Sequence, residues 1–228
     1  MGILPIEKSK KETALDKQIV LIYGKPKIGK STLASSFPNP VFLATEAGLN
    51  HLEVFKTSIN SWEKFLDACA DLAKGEHKFN TIIIDTVDNL VAYCTDYVCT
   101  REGVNHPADL PMGKGWALVT GELQLKLSKL SQLPYGLVFI SHSKMETIET
   151  KTAKYNRQTI SMQGTGNRNV FLNMSDIILF IDNKVESGEE RRIIRTKPSR
   201  DYEAGDRTGL LAPEIPLDYK ELAKYFKP

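Results

Sequence analysis

The sequence predicts a three-layer α/β domain with a mostly parallel central sheet and a C-terminal β-hairpin extension. Short apolar runs rich in β-branched residues recur along the chain, and helical or loop segments separate them. Each run is short enough to be a strand buried on both faces, as in parallel sheets that carry helices on both sides. Beyond residue 183 the pattern changes to polar turns and short strands, which predicts the hairpin.

The predicted strands of the parallel sheet are the apolar runs themselves. In chain order they cover residues 18–23, 41–44, 81–85, 136–141 and 176–181. The hairpin is predicted over residues 185–196, with Ser187 and Gly188 at its turn. Ligands of such sheets bind beyond the carboxyl ends of the parallel strands. Functional residues are therefore expected directly after each strand.

Helical patterns fill several of the intervals between strands. One helix is predicted to begin after Ser61, a capping residue, and to end at Gly75, with its apolar residues on one face. Further helices are predicted over residues 87–100 and 115–132 and near 218–226. The remaining long stretches are predicted as loops: 101–114, 143–170 and 198–216. Long loops in compact domains often carry function, so partners are expected there.

Composition narrows the class of protein. The 228 residues include 30 Lys and Arg and 28 Asp and Glu, so the formal charge is only +2 and any basic site must be local. Three cysteines without a CxxC pair argue against a disulfide framework and a structural zinc site. No signal peptide and no apolar run near the roughly 20 residues of a membrane helix is found. We expect a cytoplasmic protein without membrane contact, with a leader over 1–16 and one domain over 17–228.

A phosphate-binding loop follows the first predicted strand. The segment Gly24–Ser31 satisfies the pattern GxxxxGK[ST], and a helix continues through Thr32. In such loops the backbone amides wrap the phosphates, the lysine reaches the β- and γ-phosphates, and the hydroxyl binds magnesium. ATP and Mg²⁺ are the expected ligands. The predicted nucleotide-binding residues are Gly24, Lys25, Pro26, Lys27, Ile28, Gly29, Lys30, Ser31 and Thr32.

Polar residues at three other strand ends are the candidate catalytic groups. Asp85 closes the third predicted strand and is expected to hold magnesium with Ser31, although a helix N-cap is an alternative role. Glu46, just beyond the second strand, is the candidate general base, the alternative being an exposed loop glutamate. His142 ends the fourth strand and could sense the γ-phosphate, although a lone histidine is often a surface or core residue.

Together these residues resemble the RecA-like ATPases, and most closely the small phage-encoded RecA-core proteins of single-strand annealing and recombination. The resemblance covers about residues 17–213 and rests on the phosphate loop, FLATEAGL, TIIIDTVDNL, the GKGW segment at 113–116, VFISHSK and TKPSRDYEAGDRTGLL. It implies that Glu46 is the catalytic base and that His142 stands where these proteins most often carry glutamine. It also implies assembly into a ring or filament, with Lys197 and Arg200 reaching a neighbour's phosphates.

The same resemblance implies a mobile DNA-contacting loop after His142. The segment 150–175 contains no Asp or Glu, and Gly164 and Gly166 would give it mobility. Cations that neutralise phosphates and an aromatic ring that stacks on bases would hold single-stranded DNA without sequence preference. The candidate DNA-binding residues are Lys151, Lys154, Tyr155, Arg157 and Arg168. The alternative is a solvated loop, and the stretch 101–114 is a second, weaker candidate.

Three other functions share parts of this pattern. A small-molecule or nucleotide kinase shares the phosphate loop and would need an Arg-rich lid. A GTPase is disfavoured because Asn183–Glu186 departs from NKxD at its last residue. A nucleotide-gated assembly module would hydrolyse very little ATP. We predict an ATPase that acts on single-stranded DNA in recombination, annealing or repair, as a homo-oligomer and with a single-strand-binding protein as a candidate partner.

Overall fold

A computed structural model describes residues 6–8 and 12–226. The strands are β1 (Ile19–Gly24), β2 (Pro40–Ala44), β3 (Phe55–Ser58), β4 (Thr81–Asp85), β5 (Gly136–Glu149), β6 (Lys154–Ile160), β7 (Ile177–Glu186), β8 (Glu189–Arg195), β9 (Gly205–Asp206) and β10 (Glu214–Pro216). The α-helices are α1 (Lys30–Ser35), α2 (Trp62–Lys74), α3 (Val87–Glu102), α4 (Lys114–Leu130), α5 (Thr165–Met174) and α6 (Tyr219–Ala223). Short 3₁₀ helices cover Leu15–Lys17, Pro107–Asp109 and Pro111–Gly113.

The central sheet has the strand order β10-β8-β7-β1-β5-β4-β2-β3. From β7 to β3 every neighbouring pair is parallel. Strands β8 and β10 continue the sheet in antiparallel pairings, and β7 and β8 form the predicted hairpin. The mostly parallel sheet and its C-terminal hairpin are therefore confirmed. Since the parallel strands share one direction, their carboxyl ends lie along one edge.

Helices cover both faces of this sheet and make it a three-layer fold. Alternate residues of β1 enter two separate cores: Leu21 and Tyr23 lie in one, and Val20 and Ile22 lie in the other. All four side chains are fully buried. The first core holds side chains of α2, α3, α4 and α5, and the second holds those of α1 and α6. Burial on both faces explains why the strand is a continuous apolar run.

The predicted helix ends agree with local chemistry. The Ser61 hydroxyl accepts a hydrogen bond from the Lys64 amide at the start of α2, and Gly75 ends the helix with a φ of 72°. Helices α3 and α4 lie within two residues of their predicted ends. Strand β3 was not predicted because all of its side chains are exposed and the segment lacks an apolar run.

The stretch 143–170 is not a loop, and the prediction of a mobile loop over 150–175 is wrong. Strand β5 continues beyond the sheet and pairs antiparallel with β6, from Ser143 opposite Ile160 to Glu149 opposite Lys154. Helix α5 follows. We call residues 143–160 the hairpin arm. Its outer part has few apolar residues, and Met145 and Ile148 lie on opposite faces of the strand, so it lacks the apolar alternation by which a strand is predicted.

The two ends of the chain are described only in part. The predicted leader lies partly outside the described residues, and within it Leu15 is buried in the second core. Near the other end α6 confirms the predicted short helix. None of the helices in the described ranges has the length and apolar character needed to cross a membrane.

Candidate nucleotide site at the carboxyl edge of the sheet

A cavity of about 670 Å³ opens at the carboxyl edge of the parallel strands, where the sequence predicted ligand binding. It lies above β1, β2, β4 and β5, and we call it the phosphate cavity. Its lining residues are Pro26, Lys27, Gly29, Lys30, Ser31, Thr32, Glu46, Gly48, His51, Asp85, His142 and Arg192. The structure thus brings the phosphate loop together with all three of the predicted strand-end groups.

The two glycines of the loop meet steric requirements. A Cβ atom on Gly24 would lie 2.7 Å from the carbonyl oxygen of Ile181 on β7, which is too close. Gly29 precedes α1 with a φ of 112°, a conformation that residues with side chains avoid. Ile28 is buried between them in the second core and fixes the loop to the sheet. The loop is therefore held in one shape by packing and by backbone geometry.

Lys30 points into the loop. Its side chain is buried, and its ammonium donates hydrogen bonds to the carbonyl oxygens of Gly24 at 3.0 Å and Lys25 at 2.9 Å. The Nδ1 atom of His142 lies 3.5 Å from the same nitrogen. Burial lowers the pKa of Lys30, while Asp85 and Asp88 act in the opposite direction. A cation with several neutral partners can exchange them for phosphate oxygens without a large rearrangement.

Ser31 and Asp85 form a hydroxyl–carboxylate pair. The Ser31 hydroxyl donates to Oδ2 of Asp85 at 2.7 Å, and Asp85 is buried. Burial raises the pKa of Asp85, and the hydrogen bond from Ser31 opposes that rise. Thr86, not Asp85, occupies the N-cap position of α3, so the alternative role of Asp85 is not the one observed. Oxygen ligands of this kind, few and next to a phosphate site, fit a magnesium ion.

Glu46 and His142 face each other across the cavity. Oε2 of Glu46 lies 3.8 Å from Nε2 of His142, and both side chains are about one-third exposed, at 38% and 32%. His142 is opposite Gly24 in the β1–β5 register, which places it beside the phosphate loop. Its two ring nitrogens thus approach Lys30 and Glu46. The predicted base and the predicted sensor form one chain of contacts with Lys30.

Sequence reasoning missed two groups that position these residues. Oδ2 of Asp88 accepts a hydrogen bond from the backbone amide of His142 at 3.3 Å, and burial raises the pKa of Asp88 to about 6. The Thr45 hydroxyl donates to the carbonyl of Thr86 and accepts from the Thr86 amide. These two hydrogen bonds hold the backbone just before Glu46 against the end of β4. Thr45 directly precedes Glu46, and that adjacency was the available signal.

Arg192 and His51 also line the cavity and were not predicted. Arg192 lies on β8, far along the chain from the phosphate loop. It reaches the cavity only because β8 folds back antiparallel along β7, which is the neighbour of β1 in the sheet. It follows Arg191 and two glutamates in the segment EERR, which carried no signal of its own.

The candidate DNA-binding cations lie on the hairpin arm and α5, and acids from outside 150–175 pair with several of them. Arg168 forms an ion pair with Glu146. Arg157 lies 3.9 Å from Glu203, and the exposed Lys154 lies 3.6 Å from Glu149. Lys151 is exposed in the turn of the arm. The absence of acids within the segment therefore does not make its surface uniformly basic.

Tyr155 and the candidate trans-acting residues lie away from the phosphate cavity. The guanidinium of Arg200 lies 4.3 Å from the centre of the Tyr155 ring, so Arg200 packs on the hairpin arm. Lys197 pairs with the buried carboxylate of Asp206 at 3.3 Å. Neither Lys197 nor Arg200 lines the phosphate cavity of its own subunit. Their role toward a neighbouring subunit stays a prediction.

Residues 16–208 match the sequence profile of a family described as an AAA domain. A curated relative, the SPbeta prophage-derived uncharacterized protein YorG of Bacillus subtilis strain 168, is 30% identical over 192 residues. The alignment covers 80% of this chain and 55% of the relative, so the chain spans about half of that relative's length. Among solved structures, the KaiC-like protein PH0186 of Pyrococcus horikoshii OT3 aligns over 93% of this chain and 94% of that chain, with a TM-score of 0.49 and 12% identity.

Proposed function

Because the chain belongs to the AAA domain family and is a P-loop ATPase domain, we propose that it binds ATP with magnesium in the phosphate cavity and hydrolyses the nucleotide. The observation that carries this proposal is the meeting of Lys30, the Ser31–Asp85 pair and Glu46 around one cavity. Hydrolysis of ATP needs a cation for the phosphates, a metal site and a base for the attacking water, and these residues supply all three.

Each of these residues has a distinct task in the proposed reaction. Lys30 stabilises negative charge on the transferred phosphate, and Ser31 with Asp85 would hold magnesium, which neutralises the charge of the phosphates when bound. Glu46 takes a proton from the attacking water. His142 registers the presence or loss of the terminal phosphate, a role supported by its contacts with both Lys30 and Glu46. Thr45 positions Glu46, and Asp88 positions His142.

We further propose that hydrolysis serves a task on single-stranded DNA in phage recombination, annealing or repair, in the cytoplasm of a bacterial host. The hairpin arm supports this proposal, because β5 runs from His142 directly into it. Lys151, Lys154 and Tyr155 lie on the arm's outer part and could contact phosphates and bases. The name of the relative YorG, which is described as prophage-derived, agrees with a phage context.

The decisive experiment measures phosphate release from ATP by the wild-type chain, alone and with single-stranded DNA, double-stranded DNA or nucleoside monophosphates. We expect turnover that rises with single-stranded DNA. Turnover that DNA does not change would support the proposed ATPase activity and contradict the proposed action on DNA. Transfer of phosphate to a monophosphate would make the protein a kinase, and negligible turnover despite tight ATP binding would make it a nucleotide-gated assembly module.

We also propose that the ATPase assembles into a ring or filament, with Lys197 and Arg200 reaching the phosphates of a neighbour. Because both residues lie outside their own subunit's cavity, lower turnover in a variant that keeps the wild-type unfolding temperature would support an effect between subunits. Wild-type chains mixed with a Lys197→Ala/Arg200→Ala variant should lose more turnover than dilution explains. Activity strictly proportional to the wild-type fraction would contradict shared sites. Capture by a single-strand-binding protein is a separate test of the proposed partner.

A further inference from the structure

A second, smaller cavity lies beside the phosphate cavity and shares Gly29, Thr32 and Arg192 with it. Its volume is about 300 Å³. Its other lining residues come from α1 and from the C-terminal segment: Leu33, Ser36, Leu217, Asp218 and Tyr219. We call it the side cavity. The two cavities meet at the start of α1, and Glu46, Asp85 and His142 line only the phosphate cavity.

The polarity of the phosphate loop fixes which end of a nucleotide would face the side cavity. In a GxxxxGK[ST] loop the lysine reaches the β- and γ-phosphates, while the backbone amides hold the α- and β-phosphates. Here the γ end is marked by Lys30, Asp85 and Glu46. A nucleoside is attached at the α end, so it must leave the phosphate cavity at the opposite side. That side is the one that borders the side cavity.

Arg192 stands at this border with a free guanidinium. The other arginines of β8 form ion pairs: Arg191 pairs with Glu189, and Arg195 pairs with Asp182 and Glu214. Among the described residues no carboxylate lies within ion-pair distance of Arg192. Its Nη1 atom would lie 3.8 Å from a Cβ atom on Gly29, so it is directly against the phosphate loop.

The far wall of the side cavity comes from the C-terminal segment. A Cβ atom on Gly29 would lie 3.0 Å from Cδ2 of Leu217, and the Leu217 amide donates to the carbonyl of Arg192. The ring of Tyr219 packs on Phe37, with centroids 5.0 Å apart, and is only partly buried. The wall therefore offers an aliphatic and an aromatic surface beside the phosphate loop, which suits the flat face of a base.

We propose that the side cavity takes the nucleoside of the bound nucleotide, with Leu217 and Tyr219 packing on the base and with Arg192 binding the α- or β-phosphate from the same subunit. This inference rests on the proposed function, because it needs a nucleotide in the phosphate cavity. It makes the C-terminal hairpin and the segment 217–219 part of the nucleotide site. It also assigns to Arg192, within its own subunit, a phosphate contact distinct from any that Lys197 and Arg200 make between subunits.

The test measures the affinity of the full chain for MgATP, MgADP and inorganic tripolyphosphate by calorimetry. Arg192→Ala should weaken all three ligands by about tenfold, as expected for an exposed charge-assisted contact, and the loss should shrink at high salt. Arg191→Ala is the matched control, since adjacent strand residues face opposite sides, and it should bind like wild type. An unequal loss for ATP and ADP would move the Arg192 contact to the γ-phosphate and overturn this assignment.

Leu217→Ala and Tyr219→Ala should weaken ATP and ADP by about fivefold and leave tripolyphosphate within about twofold, because they remove apolar contacts with the base. Tyr219→Phe keeps the ring and should keep the affinity. Thermal unfolding of each variant separates lost binding from lost folding. Wild-type ATP affinity in folded Leu217→Ala and Tyr219→Ala would overturn the assignment of the base.

Lys30→Ala distinguishes this inference from the proposed function. If wild type binds no nucleotide, the proposed function fails and the inference fails with it. If wild type binds ATP and Lys30→Ala does not, while the Arg192, Leu217 and Tyr219 variants all bind like wild type, the inference alone fails.

Discussion

The phosphate cavity and the hairpin arm were both predicted to be functional, and they differ in how the chain specifies them. In the cavity, the pattern Gly24–Ser31 is local, and its specified positions have defined places: the two glycines shape the loop, and Lys30 and Ser31 line the cavity. On the arm, the prediction relied on the composition of a window, and acids outside that window, such as Glu146 and Glu203, lie next to its arginines. Folding leaves a local spacing pattern in place, whereas it brings acids from outside the window next to the window's cations and so changes the charge of the surface.

The largest expected effect tests the cavity. Lys30→Ala should abolish measurable ATP binding, because Lys30 is the buried cation whose ammonium lies within the loop. The fold should persist, and calorimetry with a thermal unfolding curve checks both points. Lys64→Ala, on an exposed position of α2, is the control. Unchanged ATP affinity in Lys30→Ala would contradict the phosphate-loop assignment and remove one side of the comparison.

Glu46→Gln should separate binding from chemistry within the same cavity. ATP affinity should be kept, while single-turnover hydrolysis should fall by about 10² to 10⁴, the usual contribution of a general base. Glutamine keeps the size of the side chain but cannot accept the proton. Glu53→Gln, in the stretch that follows Glu46, is the control. A wild-type rate in Glu46→Gln would place the base on another residue.

Asp88→Asn tests a residue that the sequence did not reveal and that contacts the cavity residue His142. Burial raises the pKa of Asp88 to about 6, with His142 acting in the opposite direction. A carboxyl with a raised pKa favours the folded state when protonated, so this stabilisation is present at low pH and is lost as pH rises from about 4 to about 6. At most about 3 kcal/mol is involved.

The measurement is the free energy of unfolding against pH for wild type, Asp88→Asn and the exposed control Asp71→Asn. Asparagine keeps an oxygen that can accept the hydrogen bond from the His142 amide. The variant should match wild type near pH 4 and exceed it increasingly up to pH 7. Parallel curves for wild type and Asp88→Asn would show that Asp88 ionises normally.

The smallest expected effect is on the hairpin arm and decides whether the arm is a DNA surface. Lys151→Ala/Lys154→Ala removes at most two phosphate contacts, so the slope of log K against log salt for single-stranded DNA should flatten by at most about 1.4. Arg157→Ala and Arg168→Ala should change the slope less, because Glu203 and Glu146 pair with these partly buried side chains, whereas the Lys154–Glu149 pair is exposed and screened by salt. Lys126→Ala/Lys129→Ala on α4 is the control.

Fluorescence anisotropy of labelled oligonucleotides at several salt concentrations gives these slopes. An equal effect of the lysine pair and of the arginines would show that DNA displaces the glutamates. The pairing seen on the arm would then have no bearing on binding, and the composition of the window would be the better guide after all.

The predictability of the fold follows burial. Strands β1, β2 and β4 were predicted within a residue or so, because burial on both faces makes them continuous apolar runs. Strand β3 and the hairpin arm were missed, since exposed or polar strands leave no such run. Their pairing depends on a neighbouring strand that already exists, and a single segment carries little trace of that neighbour.

Site residues were predicted when they lie close in sequence to a buried strand and were missed when tertiary structure brings them to the cavity. Asp85 ends a buried strand, and Glu46 and the phosphate loop follow shortly after two others. His142 lies just beyond the apolar part of β5, so the edge rule for parallel sheets was enough to place these groups together. Asp88 acts through a backbone amide, and Arg192 reaches the cavity only after β8 folds back along β7. Contacts of these two kinds depend on tertiary structure, and no residue pattern in the segment itself indicates them.

Strand β5 has a mechanical consequence because it passes through the nucleotide site without a break. The strand runs from the core through His142 and on to Glu149, where β6 stiffens it. From His142 the outer part is about 23 Å long at about 3.3 Å per residue. A tilt of about 5° at His142 would therefore move the tip by about 2 Å, close to half the spacing of neighbouring strands. The hairpin arm would therefore act as a lever, because it begins next to His142, which lies close to Lys30 and Glu46.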